Sequence, residues 1–107
     1  MNVLITGVQG FIGTWTLFAL KKRGAKVFGI DNRSSYGERL FDVINGENLL
    51  EENHIIDVTN KKCVEKVIYN NDFDLIIHLA AQAIVPRAFA NPYETFYTNT
   101  VGTLNLL

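Results

Sequence analysis

The residues of this 107-residue chain whose types and spacing can do chemistry are the glycines at 7, 10 and 13 and the aspartate at 31. The glycines stand in TGVQGFIG (Thr6 to Gly13), directly after the apolar run Val3, Leu4 and Ile5, and an apolar segment of helical character follows to Leu20. A strand that passes through a glycine turn into a helix aims the helix's unpaired N–H groups, and its positive dipole end, at whatever lies above the strand. A diphosphate is the usual occupant of such a place. Gly7 then permits the tight turn, Gly10 lets the backbone approach the pyrophosphate, and Gly13 lets the helix lie against the strand. The spacing is G-x-x-G-x-x-G rather than the commoner G-x-G-x-x-G, so its weight comes from its place between the first strand and the first helix. A P-loop is excluded, because Thr14 and Trp15 follow Gly13 where a Lys-Ser or Lys-Thr pair would be needed. Asp31 lies 18 residues beyond Gly13, close to the ~20-residue interval at which an acidic side chain holds a ribose 2′-hydroxyl.

These residues have to be positioned by alternating strands and helices. Val3 to Ile5 reads as a buried parallel strand, and Phe11 to Arg23 as a helix whose broad apolar face is Phe11, Ile12, Trp15, Leu17, Phe18, Ala19 and Leu20. Lys21, Lys22 and Arg23 suit its C-terminal dipole, and Gly24 stands just past its end. Lys26 to Ile30 is the second strand, ending at Asp31. The polar stretch Asn32 to Glu38 is a loop over the adenosine end of a cofactor, and Glu38 to Asn45 a short helix burying Leu40, Phe41 and Ile44 and closed by Gly46. Asn53 to Ile56 is a short third strand. Thr59 is placed to cap a helix running to Asn70, with Cys63, Val64, Val67 and Ile68 on one face. Asp74 to Leu79 (DLIIHL) is a fourth strand, apolar enough to be covered on both faces, with His78 as a packed core residue inside it. Asn91 and Pro92 cap and open a last helix that runs to Leu107. Right-handed crossovers turn this alternation into a parallel α/β sheet of order 3-2-1-4, whose switch point lies between the loops after strands one and four.

The bulk properties narrow the partners. A net charge of −1 gives no reason to expect nucleic acid or an anionic membrane surface. A single cysteine, Cys63, excludes an internal disulfide and a cysteine-based zinc cluster, and fits a reducing, cytoplasmic setting. The start goes straight into a strand, without the basic region of a signal peptide, and no apolar run is long enough to span a bilayer. No metal-ligand constellation is present, His78 being isolated from other metal-type residues.

TGVQGFIG, Asp31, Asp57-Val58, HLAAQ (His78 to Gln82) and NPYETFYTNTVGTLNLL (Asn91 to Leu107) together resemble the extended short-chain dehydrogenase/reductases, the NAD-dependent epimerases and dehydratases of nucleotide sugars. LAAQ combined with P-x-E-T-F-x-T-N-x-x-G-T is narrower, and is most similar to the CDP-glucose 4,6-dehydratases. The resemblance implies a Rossmann-like three-layer domain. It implies that Gly7, Gly10, Phe11, Ile12 and Gly13 hold the pyrophosphate, Asp31 a ribose, and Asp57 with Val58 the adenine. Leu79, Ala80 and Ala81 would line the ribose and nicotinamide region, Thr98 would face the cofactor from the last helix, and Asn99 would be structural. Asn32 and Arg33, with Ser34 and Ser35, form a loop that can receive the 2′-phosphate of NADP, as in relatives that process GDP-mannose. Asp31 argues for NAD, since a carboxylate repels a phosphate dianion there. Ala88 stands where relatives often carry a serine, and Arg87 beside it either meets a sugar-nucleotide phosphate or sits on an exposed turn.

In the family, NAD takes a hydride from sugar C4, and a tyrosine with a lysine handles the C4 hydroxyl proton. No Tyr-x-x-x-Lys occurs here, since Tyr36, Tyr69, Tyr93 and Tyr97 are followed four residues on by Leu40, Phe73, Tyr97 and Val101. The expectation is therefore the cofactor-binding, N-terminal part of a nucleotide-sugar 4,6-dehydratase, inactive alone. The alternatives are a 4-epimerase, a GDP-mannose 4,6-dehydratase, or a stand-alone dinucleotide-binding module. A nucleotide-sugar substrate and a homodimer are expected of the full-length protein. An exposed fourth strand and last helix should leave an apolar patch.

Overall fold

The computed structural model describes residues 1–33 and 38–107. Ser34 and Ser35, and with them four of the seven residues of the loop expected over the adenosine, lie outside the described residues.

The central strand β1 (Asn2–Thr6) is fully buried over its last four residues, and its side chains alternate between two cores. Val3 and Ile5 join Val8, Leu17, Val27 and Phe41 on one face of the sheet, whereas Leu4 joins Phe28, Ile30, Val58 and Val67 on the other. Each such side chain contributes about 1.5–3 kcal/mol by leaving water. Two covered faces satisfy the requirement of a parallel sheet. β2 (Lys26–Asp31) lies beside β1 with Val3 opposite Val27, and β3 (Glu52–Ile55) lies beyond it. β4 (Leu75–His78) takes the other side of β1, with Thr6 opposite His78. The order is 3-2-1-4, all parallel, as the alternation of elements requires. Asn2 pins the β4 side, its backbone N–H donating to Asp74 Oδ2 at 2.7 Å and its side-chain amide to the Asp72 carbonyl at 3.0 Å.

Helix α1 (Phe11–Lys22) buries only Gly13, Thr14 and Leu17, while Phe11, Ile12 and Trp15 are exposed. The expected broad buried face is thus a narrow one. The helix lies so close to the glycine turn that only small side chains fit beneath its first turn, and the large ones turn outward. Gly24, at φ +82, follows its last turn. Between β2 and β3 the expected helix is shorter, α2 (Leu40–Val43), followed by a 3-10 turn over Gly46–Leu49. Asn45, not Gly46, takes the left-handed conformation there, and only Phe41 of the three expected apolar residues is fully buried.

Helix α3 (Lys61–Tyr69) is capped by Asn60, whose Oδ1 accepts the Cys63 N–H at 3.3 Å. Thr59 is not the cap, because its N–H and hydroxyl are both drawn to Asp57 Oδ1, at 2.9 and 2.7 Å. Helix α4 (Val85–Ala90) was not expected. Helix α5 (Pro92–Leu106) begins as expected, with the Asn91 side chain accepting the Glu94 N–H at 3.1 Å. It packs on α3 and donates from Asn105 Nδ2 to the Val58 carbonyl at 2.8 Å. β4 is not covered on both faces: Leu75 is 43% exposed and the rest of the strand half-buried. Ile84 before α4, Phe89 within it, and Tyr93 and Phe96 of α5 are exposed as well. Among the described residues, no helix is long and apolar enough to cross a membrane.

Candidate functional site: a groove at the switch point

The glycine turn is built by close approach. Gly7 has φ +71, donates its N–H to the Ile30 carbonyl at 2.8 Å and accepts the Gly10 N–H at 3.1 Å. A Cβ on Gly7 would stand 2.8 Å from the Ala80 nitrogen, so the ends of β1, β2 and β4 converge on this residue. A Cβ on Gly13 would stand 2.1 Å from the Gly7 carbonyl oxygen, which seats the first turn of α1 directly on the turn. Thr14 N–H closes on the Gly10 carbonyl at 2.9 Å. The N–H groups of Phe11, Ile12 and Gly13 therefore belong to the unpaired first turn of a helix, the donor set that takes an anion.

Above this turn lies a groove of about 410 Å³, between the C-terminal ends of β1, β2 and β4. At its β2 end the Asp31 carboxylate accepts the Gln9 N–H at 2.9 Å and the Arg33 N–H at 3.3 Å, one at each oxygen. Each oxygen keeps a further lone pair for a ligand hydroxyl. Gln9 is buried, and its side-chain oxygen accepts from Arg39 Nη1. Arg39 in turn gives Nε and Nη2 to the two oxygens of Asp42, at 2.9 and 3.2 Å. That fork of hydrogen bonds holds the Asp42 carboxyl below the usual carboxylate range. Ile56, Asp57 and Val58 form the wall after β3, with Asp57 Oδ1 committed to Thr59.

The opposite wall is the turn after β4. Thr6 Oγ1 accepts the N–H groups of Leu79 and Ala80, both at 3.2 Å, and lies 2.6 Å from His78 Nδ1. On the far side, His78 Nε2 lies 3.0 Å from Thr103 Oγ1, which donates to the Asn99 carbonyl at 2.7 Å. The network determines the tautomer. Thr103 has spent its proton on Asn99, so it accepts from Nε2–H, and Nδ1 then accepts the Thr6 proton. Burial pushes the His78 pKa below its ordinary value. Asn99 continues the chain of contacts, accepting Gln82 N–H at 2.8 Å and donating to the Gln82 carbonyl at 3.1 Å. His78 is thus half-buried in a polar network, not a packed apolar core position.

The groove brings together Gly7, Gly10, Phe11, Asp31, Asn32, Asp57, Val58, Leu79, Ala80, Ala81 and Thr98, all singled out from the sequence. Three others are placed elsewhere. Gly13 is buried beneath the turn and Ile12 projects to solvent, so both can serve only through backbone N–H. Arg33 turns its guanidinium to Glu47, 3.9 Å away, and does not line the groove. Gln9, Arg39, Leu40 and Ile56 line it and were not singled out. Gln9 and Ile56 neighbour motif residues and were within reach of the sequence. Arg39 and Leu40 carry no local sequence pattern that marks them as lining the groove. Arg87 is paired with Glu94.

A glycine turn at the switch point of a 3-2-1-4 parallel sheet, with an acidic residue closing β2, defines a Rossmann-like α/β domain. Residues 4–107 match the family model described as GDP-mannose 4,6 dehydratase, and the chain belongs to that family. It is 40% identical to the bifunctional UDP-glucose 4-epimerase and UDP-xylose 4-epimerase 3 of Arabidopsis thaliana, over 98% of this chain and 31% of that protein. Among solved structures, Pal from Bacillus thuringiensis superposes with a TM-score of 0.90 at 33% identity, covering 99% of this chain and 34% of that one. The UDP-glucose 4-epimerase of Thermus thermophilus, solved in complex with NAD, superposes with a TM-score of 0.83, also at 33% identity, covering 99% and 32%. The chain spans between a quarter and a third of the length of the curated relatives it matches.

Proposed function

We propose that this chain forms the NAD-holding part of an enzyme that acts on nucleotide sugars at C4. The observation that carries the reading is the groove itself: first-turn N–H donors of α1 at one end and the Asp31 carboxylate at the other, on the two sides of one switch point. The residues fit a dinucleotide. A Cβ on Gly10 would meet nothing nearer than the Gly7 oxygen at 3.3 Å, so the backbone there stands open to a diphosphate. Leu40, Ile56 and Val58 supply apolar wall for a base. When bound, NAD supplies a hydride acceptor that oxidises the sugar carbon and later returns the hydride. The chain's own residues do the rest. N–H groups of Phe11, Ile12 and Gly13 hold the diphosphate, and Asp31 accepts hydroxyls of the adenosine ribose. The Thr6–His78–Thr103 network holds Leu79, Ala80 and Ala81 as the wall beneath the reactive half.

Epimerisation of a UDP-sugar is the first reading, because the Arabidopsis and Thermus relatives bear that activity in their names. Dehydration of CDP-glucose is the second, resting on LAAQ and P-x-E-T-F-x-T-N-x-x-G-T. A homodimeric full-length protein in the cytoplasm goes with either. The test is to incubate the natural full-length polypeptide with NAD and, separately, UDP-glucose and CDP-glucose, and to read the sugars by NMR. A C4-inverted sugar supports the first reading and a 4-keto-6-deoxy sugar the second. An enzyme that binds NAD and turns over neither substrate refutes both.

A further inference from the structure

Asp31 is not the only charged group at the ribose end of the groove. Arg39 lines it too, and is the one cation that does so among the described residues. A single residue separates the two, since Gln9 donates its backbone N–H to Asp31 and its side-chain oxygen accepts from Arg39. An arginine so close to a ribose-binding carboxylate is the side chain that would ordinarily receive a phosphate on that ribose. Here three of its five N–H donors are already engaged. Nε and Nη2 form a fork with both oxygens of Asp42, and Nη1 is held by Gln9. The guanidinium also lies over the Phe41 ring, 6.0 Å from its centroid, on the buried residue of α2. Asp42 therefore stands one position from a fixed anchor, and the Arg39 head follows it. Arg33, the cation expected from the sequence to take that phosphate, is turned to Glu47.

We propose that Asp42 is a specificity-determining residue: by occupying Arg39 with both carboxylate oxygens, it withholds from the groove the cation a 2′-phosphate would need, and so selects the unphosphorylated dinucleotide. A 2′-phosphate entering the wild-type groove meets the Asp31 carboxylate and must also displace Asp42 from Arg39. Asp31 supplies the repulsion and Asp42 removes the compensating attraction. The inference rests on the reading of the groove as a dinucleotide site.

The experiment is calorimetric titration of the natural full-length polypeptide, wild type and variants, with NAD and with NADP. Asp42→Asn keeps the shape and removes the charge. It should tighten NADP binding about three- to tenfold, the range of a partly exposed fork, and change NAD binding by less than about twofold. Asp42→Ser should act in the same direction, which guards against a local fault of either variant. Adding Arg39→Ala should abolish the gain, because the gain is routed through the guanidinium. The proposal is overturned if the NADP-to-NAD ratio does not move in either single variant, if the gain survives loss of Arg39, or if the wild type already binds NADP as tightly as NAD. A folded wild-type protein that binds neither dinucleotide overturns the reading of the groove, and this proposal with it. NAD binding with an unmoved ratio overturns this proposal alone.

Discussion

Replacing Thr6 by valine tests whether the wall after β4 is held by its hydroxyl network. Valine matches threonine in shape but loses one acceptor and one donor. Three contacts end at Thr6 Oγ1, from the N–H groups of Leu79 and Ala80 and to His78 Nδ1. They are not equal. Leu79 N–H also reaches the Thr6 carbonyl at 3.0 Å and keeps that partner in the variant. Ala80 N–H and His78 Nδ1 lose theirs. An unsatisfied buried polar group costs about 1–3 kcal/mol, and both residues here are half-buried, so the sum should fall at about 2–3 kcal/mol. Urea unfolding monitored by circular dichroism reads this as a lower midpoint at unchanged slope. Thr103→Val removes the acceptor of His78 Nε2–H at the outer end of the same network, with a donor to a helix carbonyl, and should cost about 1 kcal/mol. A Thr6→Val loss under about 0.5 kcal/mol, or a Thr103→Val loss as large as that of Thr6→Val, would show that the hydroxyl does not hold the turn.

The same histidine makes stability depend on pH. Its folded pKa is depressed, so the unfolded chain binds the proton more readily; the stability it contributes is fully present above about 6.5 and is lost as pH falls through the lower folded value. Unfolding midpoints taken across that window should decline toward acid in the wild type and flatten in His78→Gln. Gly13→Ala puts a methyl 2.1 Å from the Gly7 oxygen and should destabilise by at least about 3 kcal/mol while lifting α1 off the turn, checked by thermal melting. Asn60→Ala removes the cap of α3 and should cost about 1 kcal/mol, whereas Thr59→Ala, outside the cap position, should cost less. Asp31→Asn retains an acceptor for the Gln9 N–H but loses the charge toward a ribose diol, and NAD affinity in the natural polypeptide should fall about tenfold, or about 1.4 kcal/mol by titration.

The centre of the molecule was legible because it is encoded locally. Three apolar residues, a glycine turn and an apolar helical run specify β1, the turn and α1 in one continuous stretch, and the four-strand order follows from handedness. Most of the groove followed as well, since the ends of adjacent parallel strands must lie together. What was not legible depends on distance. Burial of α1 was overestimated because hydropathy ranks Phe11, Ile12 and Trp15 as core, whereas the close seat of Gly13 leaves room only for Thr14 and Leu17. His78 looked like a core residue because its partners, Thr6 and Thr103, are 72 and 25 positions away. Arg33, expected at the ribose, pairs with Glu47 instead, and Arg39, which no expectation named, lines the groove and pairs with Asp42, a choice between nearby carboxylates that composition cannot make. Thr59 and Asn60 are both caps by type, and the neighbouring Asp57, which draws in Thr59, favours Asn60.

The pinning of Asn2 to Asp74 reaches beyond the finished fold to the time at which it is made. Strand β1 meets β2 across about two dozen residues, but its other side is closed by residues some seventy positions later. A ribosome adding about 5–20 residues per second leaves that side without its native neighbour for roughly 4–14 s. Once β2 has been made, and until β4 follows, Val3, Leu4 and Ile5 form an apolar strand with one open edge, the kind of segment that pairs with another chain. Early recruitment of Leu17 and Val27 from α1 and β2 covers one face of the strand but not the edge. Synthesis rate, or a chaperone that holds the nascent chain until Leu75 to His78 emerge, should therefore govern the soluble yield of this protein more than the stability of its completed sheet.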